Sequence, residues 1–389
     1  MSSSERILVL ADDLTGAAEI AGIVRRYGLD ARIIRCLEPI PKPALADQSG
    51  VAVVDTDSRG LSPTEAARRL RDLLAPIPAE LFTLVYKKTD SVLRGPIPAE
   101  IGAVMSWRGT TRAALLAQNP SRGRTVHEGI YRIDGVPLSQ TAFAQDPRHP
   151  ARSSRAVELL GDTCGLQVRS VASRTTDLQA GLSVCDAVDD DDVRAWAARL
   201  SRDVLPAGGV DFFARLLEAR ELRPVPHAAL PSLSDSALLI RGTASTLTLV
   251  EQQWMERRRF ATHAVPAPVL YQPTERAQLS FLVEKTTRSL RSAGRVAVVV
   301  EGAVQPSASP EIERRLAELT HRIIRAVPVQ HLLLTGGATA AAICRRMGWS
   351  TLVVSCELSS GVVECAVQGE SSPRLALKPG SYPWPDAWI

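Results

Sequence analysis

The stretch Ile7 to Arg26, ILVLADDLTGAAEIAGIVRR, constrains the fold more than any other part of the chain. Four consecutive apolar residues, Ile7, Leu8, Val9 and Leu10, read as a strand buried on both faces, as in a parallel sheet covered by helices. From Ala17 the apolar spacing becomes helical, with Ile20, Ala21, Ile23 and Val24 on one side. Between strand and helix lies ADDLTG. Two carboxylates, a hydroxyl and a glycine therefore stand at the carboxyl end of a first parallel strand, where open α/β sheets place their ligands. Asp12 or Asp13 can be a general base or a metal ligand, Thr15 can cap the helix, and Gly16 lets a ligand approach the backbone. A purely structural turn would need only one of the two acidic residues.

The pattern recurs. Ala31 to Ile34 reads as a second strand, followed by the proline-bearing loop PIPKPALADQSG. A third apolar strand, Val51 to Val54, ends in Asp55, Thr56, Asp57, Ser58 and Arg59. SPTEAARRLRDLL is a helix with Ser62 as N-cap, Pro63 in its first turn, Glu65 closing a capping box and an apolar stripe through Ala66, Leu70, Leu73 and Leu74. A strand from Leu81 to Tyr86 feeds Lys87, Lys88, Thr89, Asp90, Ser91, Arg94 and Gly95, and a strand from Ala113 to Ala117 feeds Asn119, Arg122, Gly123 and Arg124. Guanidinium groups beside lysines and carboxylates suit an anionic substrate, since Arg holds a carboxylate in a two-pronged fork. Residues 131 to 150 read as a short hairpin turning at Asp134-Gly135, then an irregular stretch. His127 and His149 have no partner at metal-ligand spacing and read as non-catalytic. Beyond them come a helix from Ser153 to Gly161, strands at Leu166 to Val171 and Gly181 to Asp186, a helix opened by Asp189 to Asp192, and Gly208-Gly209 before a further helix, where a phosphate turn is weakly suggested.

A chain of 389 residues suggests about two domains. LRPVPHAALPSLSDS, residues 222 to 236, carries three prolines and little periodicity, and divides the chain into 1–225 and 236–389. Lys and Arg number 46 against 42 Asp and Glu, with no long basic run, so nucleic acid is not an implied partner. The six cysteines form no CxxC or Cys/His cluster, which argues against a zinc site or a disulfide framework. No signal peptide and no apolar run approaching about 20 residues is present, so no membrane is implied and a cytoplasmic protein is expected.

In the second domain, strand Ala237 to Arg241 leads into GTASTLTLVEQQW, where Gly242, Thr243, Ser245 and Thr246 precede a helix and can offer N–H groups and hydroxyls to phosphate. The loop lacks the GK[ST] of a Walker-type site. A helix from Thr274 to Ala293, a strand from Arg295 to Val300 and the helix PEIERRLAELTHRIIRAV follow. Strand Leu332 to Leu334 then runs into Thr335, Gly336, Gly337, Ala338 and Thr339 and a helix from Ala340 to Met347; two glycines here allow a phosphate chain to lie against the backbone. Lys378 and Gly380 follow a last strand and can reach a nucleotide, unless the Pro-Gly turn merely ends that strand.

Together, ADDLTGA, KKTDSVLRG, NPSRGRTV with DGVPL, RGTASTLT and TGGATA resemble the four-carbon acid sugar kinase family, in this order and over nearly the whole chain. The resemblance implies an α/β protein of two domains, each built on a mostly parallel sheet flanked by helices, with the active site in the interdomain cleft. The first domain would bind an acid sugar such as threonate, erythronate or 3-oxo-tetronate, and the second ATP with Mg²⁺. By resemblance Asp12, Asp13, Thr15 and Gly16 match one substrate motif, and Lys88, Asp90, Ser91, Arg94 and Gly95 a second, with Arg124 beside them. Arg94 is assigned to the substrate carboxylate, and Asp13 or Asp90 is the base. Gly242, Thr243, Ser245 and Thr246, then Gly336, Gly337 and Thr339, with Lys378 and Gly380, would surround ATP; which residue contacts a metal is left open. The chain departs from the family at Val92, at Ala338 and in ELSSGVV and KPGSYPW. A Rossmann oxidoreductase would need GxGxxG after the first strand, which ADDLTGAAEIAG does not supply. A non-catalytic sugar-acid sensor with a degraded nucleotide site is the alternative, and a homodimer is compatible with either.

Overall fold

The computed structural model describes residues 5–35, 50–146, 149–172, 175–226, 229–242, 247–271, 276–302, 308–380 and 382–388. It forms two compact units, Met1–Ala31 with Glu38–Val225, and Arg32–Leu37 with Pro226–Ile389.

The first unit is wound on a parallel sheet in which strand Arg6–Ala11 lies between Gly50–Asp55 and Leu84–Lys88; beyond Leu84–Lys88 come Val204–Gly208, Arg112–Leu116, Gly181–Cys185 and Val168–Val171. Residues 7–11 are all buried, as an apolar run at the centre of a helix-covered sheet must be. After Arg6–Ala11 the chain reaches Gly50–Asp55 on one side by way of Ala31–Arg35, and then crosses to Leu84–Lys88 on the other. That reversal makes the first strand a topological switch point, and ligands bind at the carboxyl ends there. The register is what gathers the loops: Ala11 pairs with Asp55 on one side and with Lys88 on the other. Loops after residues 11, 55 and 88 therefore leave the sheet side by side.

Local chemistry revises several sequence expectations. Helix Leu14–Arg26 is capped by Asp13 and not by Thr15: Asp13 has extended backbone and its carboxylate accepts the Gly16 N–H at 2.7 Å, while Thr15 lies inside the first turn and donates its hydroxyl to Asp13 at 2.6 Å. The strand expected over Leu81 to Tyr86 runs Leu84–Lys88, so both lysines lie within the sheet. The pleat sends them to opposite faces, and each meets a carboxylate, Lys87 at Glu100 (3.2 Å) and Lys88 near Glu19 (3.7 Å). Gly208 and Gly209 serve packing: a Cβ at Gly208 would lie 2.0 Å from the Leu116 carbonyl oxygen, and one at Gly209 2.3 Å from Asn119 Oδ1. The helix expected from Ser153 to Gly161 contracts to Ala156–Leu159. The hairpin is present as Ile130–Ile133 and Val136–Pro137 around Asp134 (φ 49°) and Gly135 (φ 80°), two left-handed residues of the kind a tight hairpin requires, and Arg124–His127 joins it as a third strand. The capping box at Ser62 and Glu65 forms as read.

In the second unit, Ala261–Pro266, Arg295–Glu301, Ala237–Arg241, His331–Thr335 and Arg374–Lys378 are parallel neighbours. Val362–Val367 and Thr351–Ser359 continue the sheet in antiparallel fashion, and residues Arg32 to Ile34 pair antiparallel with Thr351 to Val353. The strand read at Ala31 to Ile34 thus serves the second unit, although it lies early in the chain. Trp254, Phe260, Trp384 and Trp388 pack into one core, so the carboxyl-terminal segment is an integral part of this unit. Cys164, Cys185, Cys344, Cys356 and Cys365 are free thiols, and Cys36 lies outside the described residues. Among the described residues no helix is long and apolar enough to cross a membrane.

Candidate active site

Three neighbouring strand ends of the first unit converge on Arg59. Its Nε and Nη2 hold the two oxygens of Asp12 at 2.7 and 3.0 Å, its Nη1 reaches Asp13 at 2.7 Å, and the same nitrogen lies 3.7 Å from Asp90. One guanidinium thus ties together the carboxylates supplied by two different loops. Gly95 makes the passage possible. Its φ is 94°, and a Cβ there would press on Arg59 Cγ at 3.3 Å. Arg59 was visible in the sequence only as the last of five polar residues after a strand; the signal that singles it out is its register beside Asp12, which periodicity does not carry.

Arg94 makes the second fork. Nε and Nη2 hold Asp90 at 2.9 and 2.8 Å and Nη1 holds Asp146 at 3.1 Å, while the backbone N–H groups of Val92 and Arg94 donate to the same Asp90 carboxylate. Burial alone would raise the Asp90 pKa, but Arg94 and Arg59 outweigh it and hold the group far below the usual carboxylate range. Asp12 follows the same logic: burial opposes ionisation, and Arg59, Lys87 and Lys88 together lower its pKa. Asp13 is the more open of the pair, with a side-chain exposure of 19% against 1% for Asp12.

The remaining substrate-side residues join this cluster. A Cβ on Gly16 would sit 2.8 Å from Asp13 Oδ1 and 3.5 Å from Lys88 Nζ, so the glycine lets these groups close over the helix start. Lys88 donates to the Thr89 carbonyl at 2.7 Å. Ser91 accepts a hydrogen bond from Arg124 on its hydroxyl and one from the Tyr131 hydroxyl on its carbonyl, which links the small sheet to the Asp90 loop. Beside them opens a cavity of about 320 Å³ lined by Arg59, Arg94, Gly95, Leu93 and His149. Burial lowers the His149 pKa, so its imidazole is neutral at pH 7.

In the second unit Thr243, Ser245 and Thr246 lie outside the described residues. Gly242 packs on Thr339, where a Cβ would come within 2.1 Å of the Thr339 hydroxyl. Gly336 caps helix Gly337–Met347 with φ 98° and donates its N–H to the Lys378 carbonyl at 2.9 Å. The Thr335 hydroxyl is buried and has no partner among the described residues at this helix start. Lys378 is fully buried, its ammonium 3.1 Å from Glu251 and 3.3 Å from the Pro379 carbonyl, and Glu251 also meets Arg241 at 3.2 Å. The Lys378 side chain thereby braces the start of helix Leu249–Arg257, and Gly380 lies in the turn that follows it. Burial lowers the Lys378 pKa against the pull of Glu251.

A parallel α/β unit with an anion-matched cluster at its switch point, joined in one chain to a second α/β unit with glycine-led helix starts, defines a small-molecule enzyme of two parts. Residues 7–215 match the sugar-binding N-terminal domain family and residues 238–382 the nucleotide-binding C-terminal domain family. A D-threonate kinase of Cupriavidus necator is 31% identical, with 96% of this chain and 94% of that protein covered. A D-threonate kinase of Salmonella typhimurium is 27% identical (88% and 86% covered), as is a 3-oxo-tetronate kinase of Methylobacterium radiotolerans (96% and 95%). Crystal structures of a Salmonella typhimurium LT2 protein and of Haemophilus influenzae protein HI1011 share the fold, with TM-scores of 0.76 and 0.69, each at 19% identity; 97% and 98% of this chain and 96% and 98% of theirs are covered. The chain belongs to the four-carbon acid sugar kinase family, and it is a sugar-acid kinase.

Proposed function

We propose that the protein transfers the γ-phosphoryl group of ATP to a hydroxyl of a four-carbon sugar acid of the threonate, erythronate or 3-oxo-tetronate type, in the cytoplasm. The observation that carries this reading is the Asp12–Asp13–Arg59–Asp90–Arg94 cluster at the switch point of the sugar-binding domain. The names of the kinases it resembles support the substrate class.

Asp13 is the base. Asp90 is committed to Arg94 and two backbone amides and is held ionised by them, so it is a poor proton acceptor, whereas Asp13 is more open to solvent. The acceptor hydroxyl gives its proton to Asp13 as its oxygen bonds to the γ-phosphorus and the bond to the bridging oxygen of ADP breaks; positioning and charge neutralisation supply most of the rate. Arg94 has five N–H groups and spends three on Asp90 and Asp146, which leaves one on each terminal nitrogen for a substrate carboxylate. Gly336, Gly337 and Thr339, with the buried Thr335 hydroxyl, suit the phosphates of ATP. Bound together with ATP, Mg²⁺ would neutralise charge on the transferring group.

ATP consumption with Mg²⁺ against a panel of four-carbon aldonic and oxo-aldonic acids tests the proposal. Turnover of one acid, lost in Asp13→Asn while that acid still binds by calorimetry, is the expected result. Absence of both turnover and ATP binding would overturn it in favour of a sugar-acid sensor.

A further inference from the structure

Behind the substrate-side cluster lies a buried set of polar groups that the proposed chemistry does not use. Thr56, Ser58, Lys87 and Glu100 are all fully buried. Glu100 stands in a helix, Ile97–Arg108, whose residues Ile97 to Ile101 are buried without exception, so the carboxylate faces protein on every side. Burial raises its pKa, opposed chiefly by Lys87, whose ammonium lies 3.2 Å away and also donates to the Lys88 carbonyl at 3.0 Å. Its other oxygen accepts the hydroxyl of Ser58. The Ser58 oxygen is in turn 2.6 Å from the Thr56 hydroxyl, which lies 2.8 Å from the Ala11 carbonyl. A buried carboxylate with a matched ammonium is costly to assemble, and such groups are kept where they specify one arrangement over others.

What this arrangement specifies is the backbone next to Arg59. Residues 56 to 59 contain a left-handed residue, Asp57 (φ 47°), and are stitched to the first strand by Ser58 and Arg59 N–H donation to the Asp12 carbonyl at 3.0 and 3.2 Å. Backbone bonds fix the height of the loop. The Ser58 hydroxyl on Glu100 fixes its rotation, and the residue that follows carries the guanidinium that holds Asp12 and Asp13.

We propose that Ser58 and Glu100 are positioning residues: the buried Lys87–Glu100 pair anchors Ser58 and so aims Arg59 at Asp12 and Asp13. The effect on turnover rests on the kinase reading given above, whereas the effect on Arg59 does not. The test uses the full chain and Ser58→Ala. One readout is the rate at which phenylglyoxal modifies Arg59, followed by peptide mass spectrometry; the other is the split between the KM for the sugar acid and the KM for ATP. Wild-type Arg59, held by two carboxylates, should react slowly, and Ser58→Ala should raise its rate severalfold. The variant should also lose about tenfold in kcat/KM for the sugar acid, as expected for one buried hydrogen bond, with the KM for ATP unchanged. Ser58→Cys keeps the volume with a weaker donor; it should fall between the two, and it carries the test if the alanine variant does not fold. A variant that melts earlier yet keeps wild-type Arg59 reactivity overturns the proposal. If the wild type turns over no acid, the kinase reading fails and the Arg59 rate alone decides.

Discussion

Asp90 illustrates how a carboxylate in this site is kept from acting as a base and made structural. Two guanidinium groups face it, and its ionised form is favoured strongly enough to overcome burial. Unfolded, it would titrate near the ordinary 3.8 of an aspartate; folded, its pKa is lowered. Its contribution to stability is therefore complete above the unfolded pKa and is lost as the pH falls toward the folded one. Asp90→Asn should leave Arg94 and Arg59 short of a partner and cost about 3 kcal/mol at neutral pH. Below about pH 4 the wild type should lose stability more steeply than the variant, because the variant no longer has this proton to take up. Urea unfolding across that range measures both; parallel curves would show that Asp90 is not the group concerned. Asp12, Asp13, Asp90 and Arg94 were legible because each follows an apolar run at a strand end. Arg59 and Glu100 were not, since a charge in a polar loop and a charge in an apolar helix look alike until register and burial say which groups they meet.

At the scale of the element, the site depends on turns that admit close approach. Gly95 carries Arg59 across its α-carbon in a conformation that L side chains rarely adopt. Gly95→Ala should cost about 1 to 2 kcal/mol from the backbone alone, and it should also displace Arg59 and raise the KM for the sugar acid. Gly102, in the neighbouring helix Ile97–Arg108, offers a control: a Cβ there meets nothing within 4 Å. Gly102→Ala should leave kinetics unchanged and add about 0.5 to 1 kcal/mol, since alanine is the better helix former. Thermal unfolding and steady-state kinetics separate the two; equal losses of stability would remove the special role given to Gly95. Glycines can be read as turns from sequence, but which neighbour forbids a side chain is a matter of tertiary contact. The same limit applies at Gly208 and Gly209, where the Leu116 carbonyl and the Asn119 side chain leave no room for a Cβ.

For the whole molecule, chain order and unit membership disagree at one place, and that disagreement has a consequence. Proline content marks the break near residue 226 because prolines interrupt both helix and sheet, but nothing local marks Arg32 to Ile34 as serving the other unit. These residues pair with Thr351 to Val353 in a strand whose Leu352 and Val354 are buried. A fragment of residues 226–389 keeps the parallel strands and the tryptophan core but leaves Thr351–Ser359 as an open edge beside apolar surface, the situation in which strands recruit other chains. The fragment should therefore self-associate in light scattering. A peptide of residues 29–35 added in trans should restore the missing strand by edge addition, return the fragment to a single chain in mass and slow exchange at the amides of Leu352 to Val354. A fragment that stays monomeric with those amides already protected would mean that the second unit completes its own sheet, and that the early strand is dispensable to it.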